Sequence, residues 1–275
     1  MFNFVRIIAG GSFVAARELI RGTKLAMNWC GGWHHAMSSE AQGFCYVNDI
    51  VIAINKLLQK FQRILYIDLD VHHGNGVESA FIGNSRVLTM SLHLYEPGFY
   101  PCTGGLDEVG NESALYSTVN IPFRAGLSDQ NLNTVFSRIS EKVLECFSPD
   151  AIVVQCGADG LNKDPLGGFS LTLQGLGTCV QQILSWDKPT LFLGGGGYNS
   201  ANAARLWTYL TSLIVGKEIS NDIPDHKYFL EYGKGYSYEL HISPGQRVDL
   251  NTPEYLESIV TKVLDNLQHL KTVID

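Results

Sequence analysis

The sequence predicts an α/β protein with a mostly parallel central sheet and helices on both faces. Three observations carry this. Short apolar, β-rich runs alternate with amphipathic helical stretches along the chain, the rhythm of βαβ units. Ionisable or phenolic residues follow directly after four of those runs, where an open parallel sheet binds its ligands. The chain has 275 residues, 45% of them hydrophobic, enough for one large core.

The elements follow in chain order. The opening stretch Met1–Leu19 carries arginines and few acids, as transit peptides do. Gly10 and Gly11 interrupt it, after which it continues as an amphipathic pattern. An ordinary structural helix is expected. Strands are predicted at Lys24–Trp29, Arg63–Leu69, Arg86–Leu92, Ala151–Cys156 and Pro189–Leu193, with Tyr116–Ile121 the weakest of the set. Helices are predicted at Asn48–Lys60, Asp129–Phe147, Thr172–Trp186, Ala201–Gly216 and Pro253–Leu270. Two long irregular stretches, Tyr95–Ala114 and Gly157–Ser170, have the length of functional loops.

Composition excludes some roles. A formal net charge of -7 argues against direct nucleic-acid binding and suits a cationic partner such as a lysine-rich peptide. The six cysteines form no CxxC pair, so neither a zinc knuckle nor a disulfide framework is indicated, and a reducing compartment is expected. No apolar run is long enough to span a membrane.

The motif "IDLDVHHGNG", Ile67–Gly76, places Asp68, Asp70 and His72 at alternate positions. If the strand continues, all three point to one face and His73 to the other. His73 is therefore read as structural. Asp70 and His72 can chelate one ion, and Asp159 can close the set from another strand end. Three protein ligands plus water is the pattern of a catalytic metal site; such donors suit zinc, iron or manganese. An isolated D-x-H is more often a strand-end cap or a surface ion pair, but the convergence of four strand ends weighs against that.

His34 and His35 follow Gly31 and Gly32, and either ring can move a proton near neutral pH. Tyr198 follows Gly194–Gly197, where its hydroxyl could donate to a developing oxyanion. The run "GGGGYNSA" has neither spacing of a phosphate-binding loop. Phe44, Phe99 and Tyr100 could wall a slot for an aliphatic chain, although core packing is the default for any single aromatic.

The motifs "NWCGGWHHA", "GFCYVND", "DLDVHHGNGVE", "SLHLYEPGFYPCTG", "QCGADGLNKDPLGGF" and "LGGGGYN" together resemble the zinc-dependent histone deacetylases of class I. Trp33, Ala158, Pro165, Asn199 and Ile223–His226 point to one subtype within that class. The resemblance implies an arginase-like fold and zinc-dependent hydrolysis of acetyl-lysine in histones or other proteins, with roles in chromatin and transcription regulation. It implies zinc ligands at Asp70, His72 and Asp159, with iron(II) an alternative ion. His34 and His35 match the tandem active-site histidines, His35 being the main general base and acid. Asp68 matches the carboxylate orienting His34, and Tyr198 the oxyanion donor. Gly43, Phe44, Phe99, Tyr100 and Gly196 match substrate-binding positions, with Leu166 at the tunnel mouth. Asp68, Asp70, His72, Ser91 and Leu92 match an inner potassium site; Phe81, Asn84, Val87 and Ser117 match an outer one. Acetylated lysine peptides and histone tails are the implied partners, beside corepressors of unknown identity. The nucleus, the cytoplasm or both are the implied locations.

Three departures stand out. Asn75 occupies the position where class I members carry an aspartate partnering the second histidine; class II members have asparagine there. Cys102 replaces a family glycine, and Gly110–Leu115 lacks the usual glycine-lysine-glycine turn. Family domains also carry about a hundred more N-terminal residues, a sizeable share of a single core. The expectation is thus one catalytic domain over residues 1–275, shortened at its start, without the early strand and helices, and with an exposed sheet edge. Two rival readings remain: a catalytically impaired acetyl-lysine-binding or regulatory protein, and an acetylpolyamine deacetylase or ureohydrolase.

Overall fold

A computed structural model of the chain describes residues 1–234 and 237–274. The strands β1 (Leu25–Asn28), β2 (Ile64–Asp68), β3 (Val87–Leu94), β4 (Thr118–Phe123), β5 (Ala151–Gln155) and β6 (Thr190–Leu193) form one sheet in the order β1-β6-β5-β2-β3-β4. Every pairing is parallel. All C-terminal strand ends therefore open onto one edge, as the alternating pattern predicted. The chain order turns back between β1 and β2, which leaves β1 and β4 as the outer strands.

The helices are α1 (Phe2–Ile20), α2 (Asp49–Leu57), α3 (Asn75–Phe81), α4 (Asp129–Phe147), α5 (Leu173–Ser185), α6 (Ser200–Ile214), α7 (Phe229–Tyr232) and α8 (Pro253–Ile274). They sort onto two faces because side chains alternate along each strand. Ile64 and Tyr66 join Ala16, Leu19, Ile50 and Ile54 under α1 and α2. Leu65 and Ile67 join Phe136, Val180, Leu206 and Val260 under α4, α5, α6 and α8. β2 is buried on both sides, so its sequence reads as a continuous apolar run.

The opening stretch is one unbroken helix rather than an interrupted one. Gly11 faces β1, where a Cβ would lie 2.7 Å from the Asn28 side-chain nitrogen; the missing side chain lets helix and strand approach. α4 begins and ends at the predicted residues, with Ser128 accepting the N–H of Asn131 as its cap. The weakest predicted strand extends to Phe123 as β4, with Pro122 inside it; an outer strand tolerates the missing donor. Two expectations need correction. β2 stops at Asp68 and does not continue through His72, and the GNGVESAF segment builds the unpredicted helix α3. No helix among the described residues is long and apolar enough to cross a membrane.

Candidate metal centre and active site

Because β2 ends at Asp68, strand alternation does not aim Asp70 and His72. The loop that follows does. Asp70 N–H donates to Asp68 Oδ1 (3.1 Å) and His72 N–H to Asp70 Oδ1 (3.0 Å), which curls the chain back on itself. Asp159 enters from the loop after β5. His72 Nδ1 then lies 3.1 Å from Asp70 Oδ1 and 3.0 Å from Asp159 Oδ2. All three residues are buried, and among the described residues no other group of His, Cys, Asp or Glu gathers in this way.

The donor set fits a divalent ion. Tetrahedral bonds of about 2.0–2.1 Å hold neighbouring ligand atoms roughly 3.3 Å apart, close to the spacing seen. The outer oxygens are tied off. Gln155 Nε2 and Gly196 N–H donate to Asp70 Oδ2 at 2.7 and 2.9 Å, and Val71 N–H donates to Asp159 Oδ1 at 2.9 Å. Each carboxylate thus keeps one oxygen for the centre. Gln155 was missed in the sequence, yet it is the single polar residue of an otherwise apolar β5. Gly196, expected to contact substrate, has its N–H committed to the Asp70 carboxylate, although it also lines a cavity beside the site.

The charges point the same way. Burial opposes a proton on His72, but Asp159 and Asp70 outweigh it and lift the ring to about 10. Burial and Asp70 push Asp159 up to about 7. Asp70 is held low, against its burial, by His34 and His72. In the ion-free chain these shifts favour a proton on His72, between the two carboxylates. An incoming ion needs the neutral His72 ring and must displace that proton. Ion affinity should therefore climb with pH toward about 10, and more steeply below about 7, where Asp159 also holds a proton. Titration calorimetry at pH 8 in buffers of different ionisation enthalpy should find about one proton released per ion bound; none would mean that His72 Nδ1 is not a ligand.

The loop after β1 carries the histidine pair. Asp49, at the start of α2, accepts Gly32 N–H (3.0 Å) and Trp33 N–H (2.9 Å) and holds that loop down. Gly32 has φ +99° and packs against the Gly194 carbonyl, so no side chain fits there. His34 Nδ1 is 2.8 Å from Asp68 Oδ2, which also accepts the Tyr66 hydroxyl at 2.6 Å. Burial works against a charge on His34, but Asp68 and Asp70 win and raise it to about 9. His35 Nδ1 is 2.8 Å from Asn75 Oδ1. Burial and the neighbouring His34 charge lower His35 to about 2, more than the Asn75 bond recovers. The two rings, 3.9 Å apart, thus divide their roles, His34 charged and His35 neutral.

Tyr198 stands on the loop after β6. Burial, then Asp70 and Asp159, raise its pKa, so the phenol stays a donor. Asp164, also missed, accepts Tyr198 N–H (2.7 Å) and Leu166 N–H (2.9 Å) and ties the two loops together. Phe99 stacks on His72 at 5.1 Å, Tyr100 meets His35 edge-on at 4.9 Å, and Phe44 meets Tyr198 at 5.9 Å. With Gly43 and the exposed Leu166 at its rim, these rings line a cavity of about 440 Å³ whose floor is His35, His72 and Tyr198. The two long irregular stretches supply Phe99, Tyr100 and Leu166, whereas Gly43 and Phe44 come from the loop before α2 and Tyr198 from the loop after β6.

His73 turns away to Thr103 Oγ1 (2.8 Å) and Glu78 Oε2 (2.9 Å), a structural role as expected. Asp68 lies opposite Ser91 in the β2–β3 register, although the Ser91 hydroxyl is engaged by His93 Nδ1 at 2.9 Å. Asn84 N–H donates to the Phe81 carbonyl and Val87 N–H, at the start of β3, to the Asn84 carbonyl, while the Ser117 carbonyl accepts Thr89 N–H. Cys102, in the wall loop, is exposed, and the six cysteines are free thiols.

Residues 1–214 match the family model described as the histone deacetylase domain. Histone deacetylase 8 of Xenopus laevis is 44% identical over 271 residues, covering 98% of this chain and 83% of that protein. The Danio rerio histone deacetylase 8 is 45% identical over 271 residues, covering 98% of this chain and 71% of its own length. Histone deacetylase 1 of Homo sapiens is 46% identical over 271 residues, covering 98% of this chain and 56% of its own length. The subtype singled out by Trp33, Ala158, Pro165 and Asn199, histone deacetylase 8, is among these relatives. The family model reaches from the first helix to the last residue of α6 and so spans every strand, every residue of the buried Asp70–His72–Asp159 group and Tyr198; the chain belongs to the histone deacetylase family.

Proposed function

We propose that this chain hydrolyses the side-chain amide of acetyl-lysine in histones or other proteins and releases acetate. The observation that carries this is the buried Asp70–His72–Asp159 group at the floor of an aromatic slot, flanked by a neutral imidazole and a phenol. Asp70, His72 and Asp159 would hold one zinc ion. A divalent ion there supplies Lewis-acid polarisation of the acyl oxygen and acidifies a bound water.

The chain's own residues do the rest. Gly43, Phe44, Phe99 and Tyr100 flank the aliphatic stem of the lysine and exclude water from it. His35, with Nδ1 committed to Asn75, offers Nε2 to the proton of the attacking water and returns that proton to the departing amine. His34, charged against Asp68, lowers the basicity of His35 and balances the anionic side of the site. Tyr198 donates to the oxygen on which charge develops. The acidic body suits lysine-rich tails as partners. We further propose potassium at the two main-chain clusters around Asp68–Ser91 and Phe81–Val87, and action of residues 1–275 as one catalytic domain in the nucleus, the cytoplasm or both.

Purified protein loaded with zinc should release acetate from an acetyl-lysine peptide faster than from an acetylated polyamine. Tyr198→Phe should lower kcat about 10²–10³-fold while leaving the bound zinc in place, as for loss of one oxyanion donor. Zinc binding without acetate release would favour the reading as a binding protein.

A further inference from the structure

Asn75 raises a difficulty that an aspartate would not. A carboxylate accepts from either oxygen, whereas an amide has one accepting and one donating end of nearly the same shape. With Oδ1 toward His35, the imidazole carries its proton on Nδ1 and leaves Nε2 basic. With the amide reversed, Nδ2 donates to Nδ1, the ring proton moves to Nε2, and the base is lost.

The structure supplies what breaks the tie. Asn75 Nδ2 donates to Gln42 Oε1 at 3.2 Å. Gln42 is itself an amide with the same ambiguity, and its Nε2 donates to Glu40 Oε1 at 2.6 Å. The chain of amides ends there, on a group that can only accept. Gln42 is held for this task by a tight turn. Its N–H and carbonyl pair with Cys45 at 3.1 and 2.7 Å, and Gly43 and Phe44 between them both have positive φ, 49° and 65°. The turn that carries Phe44 at the slot thus also delivers Gln42 to Asn75.

We propose that Glu40 and Gln42 are positioning residues that set the direction of the hydrogen-bond chain Glu40–Gln42–Asn75–His35 and thereby fix the tautomer of the base. This rests on His35 acting as the base in the proposed hydrolysis, but the tautomer can be read without turnover.

The test is nitrogen NMR of the histidine rings in the full chain, with His35 assigned by its loss in His35→Ala, beside kcat and KM on an acetyl-lysine peptide. The native chain should show His35 protonated at Nδ1. Glu40→Gln, an exposed change that leaves the fold alone, should populate the Nε2-protonated ring and lower kcat about three- to tenfold, the scale of one hydrogen bond, with KM unchanged. Adding Gln42→Glu should restore both, because a carboxylate then accepts directly from Asn75. In an Asn75→Asp background Glu40→Gln should change neither reading. Two results would overturn the proposal: an unchanged His35 tautomer in Glu40→Gln, or an equal loss of kcat in the Asn75→Asp background. A chain with no turnover at all would leave the tautomer result standing and would refute only the hydrolytic reading.

Discussion

Asp159→Asn is expected to move two measurements in opposite directions. Affinity for a divalent ion should fall about a thousandfold, because removing one partner of a buried charge contact costs about 3–5 kcal/mol. The ion-free protein should become harder to unfold. Burial and the Asp70 charge raise Asp159 from 3.8 to about 7. For an acid, a raised folded-state pKa means that ionisation favours the unfolded chain. The penalty is absent below the ordinary carboxylate range, grows between about 4 and 7, and is full above that. Asparagine keeps an oxygen for the Val71 N–H and never ionises. Thermal melts of chelator-treated protein should therefore place the variant above the native chain at pH 8, with the gap closing toward pH 4. A variant that melts lower at pH 8 would show that Asp159 serves stability rather than ion capture.

His35→Ala should lower kcat about 10³-fold, within the range for loss of a general base, while a metal analysis still finds one ion per chain. The separation follows from geometry: His35 bonds to Asn75, not to Asp70, His72 or Asp159. His34→Ala should instead leave Asp68 as a buried carboxylate missing one of its donors and should weaken the fold as well as the rate. Equal losses of kcat with unchanged melting in both variants would sink the division of roles between the two rings.

Much of this was legible because parallel sheets leave a plain signature. β2 and β5 are buried on both faces and read as largely apolar runs, while β3, buried throughout, alternates apolar residues with Thr89, Ser91 and His93; chemistry-bearing residues at successive strand ends can meet only at one edge. Spacing misled at one place. Alternation suggested that Asp70 and His72 lie on a strand, whereas hydrogen bonds from their own main chain build the loop that aims them. Asp49, Tyr66, Gln155 and Asp164 were passed over for a different reason. Each acts through another residue. Gln155, Asp49 and Asp164 do so across distant stretches of chain, to Asp70, Gly32 and Tyr198; Tyr66 reaches Asp68 only two residues on, but its spelling inside an apolar strand reads as core. No local pattern can announce the distant pairings. Gln42 was hidden in the same way until Asn75 raised the question of which way an amide faces.

The sheet order has one more consequence. Asp70, His72 and Asp159 leave from β2 and β5, neighbours in the middle of the sheet, whereas both histidines leave from β1, four residues long and bonded to β6 alone. Outer segments with few partners open at lower free energy than the interior. As the molecule loosens, the loop bearing His34 and His35 should therefore let go before the Asp70–His72–Asp159 group does, so that any activity is expected to fall before a bound ion is released, and cooling or dilution of a mild denaturant should restore it without added metal.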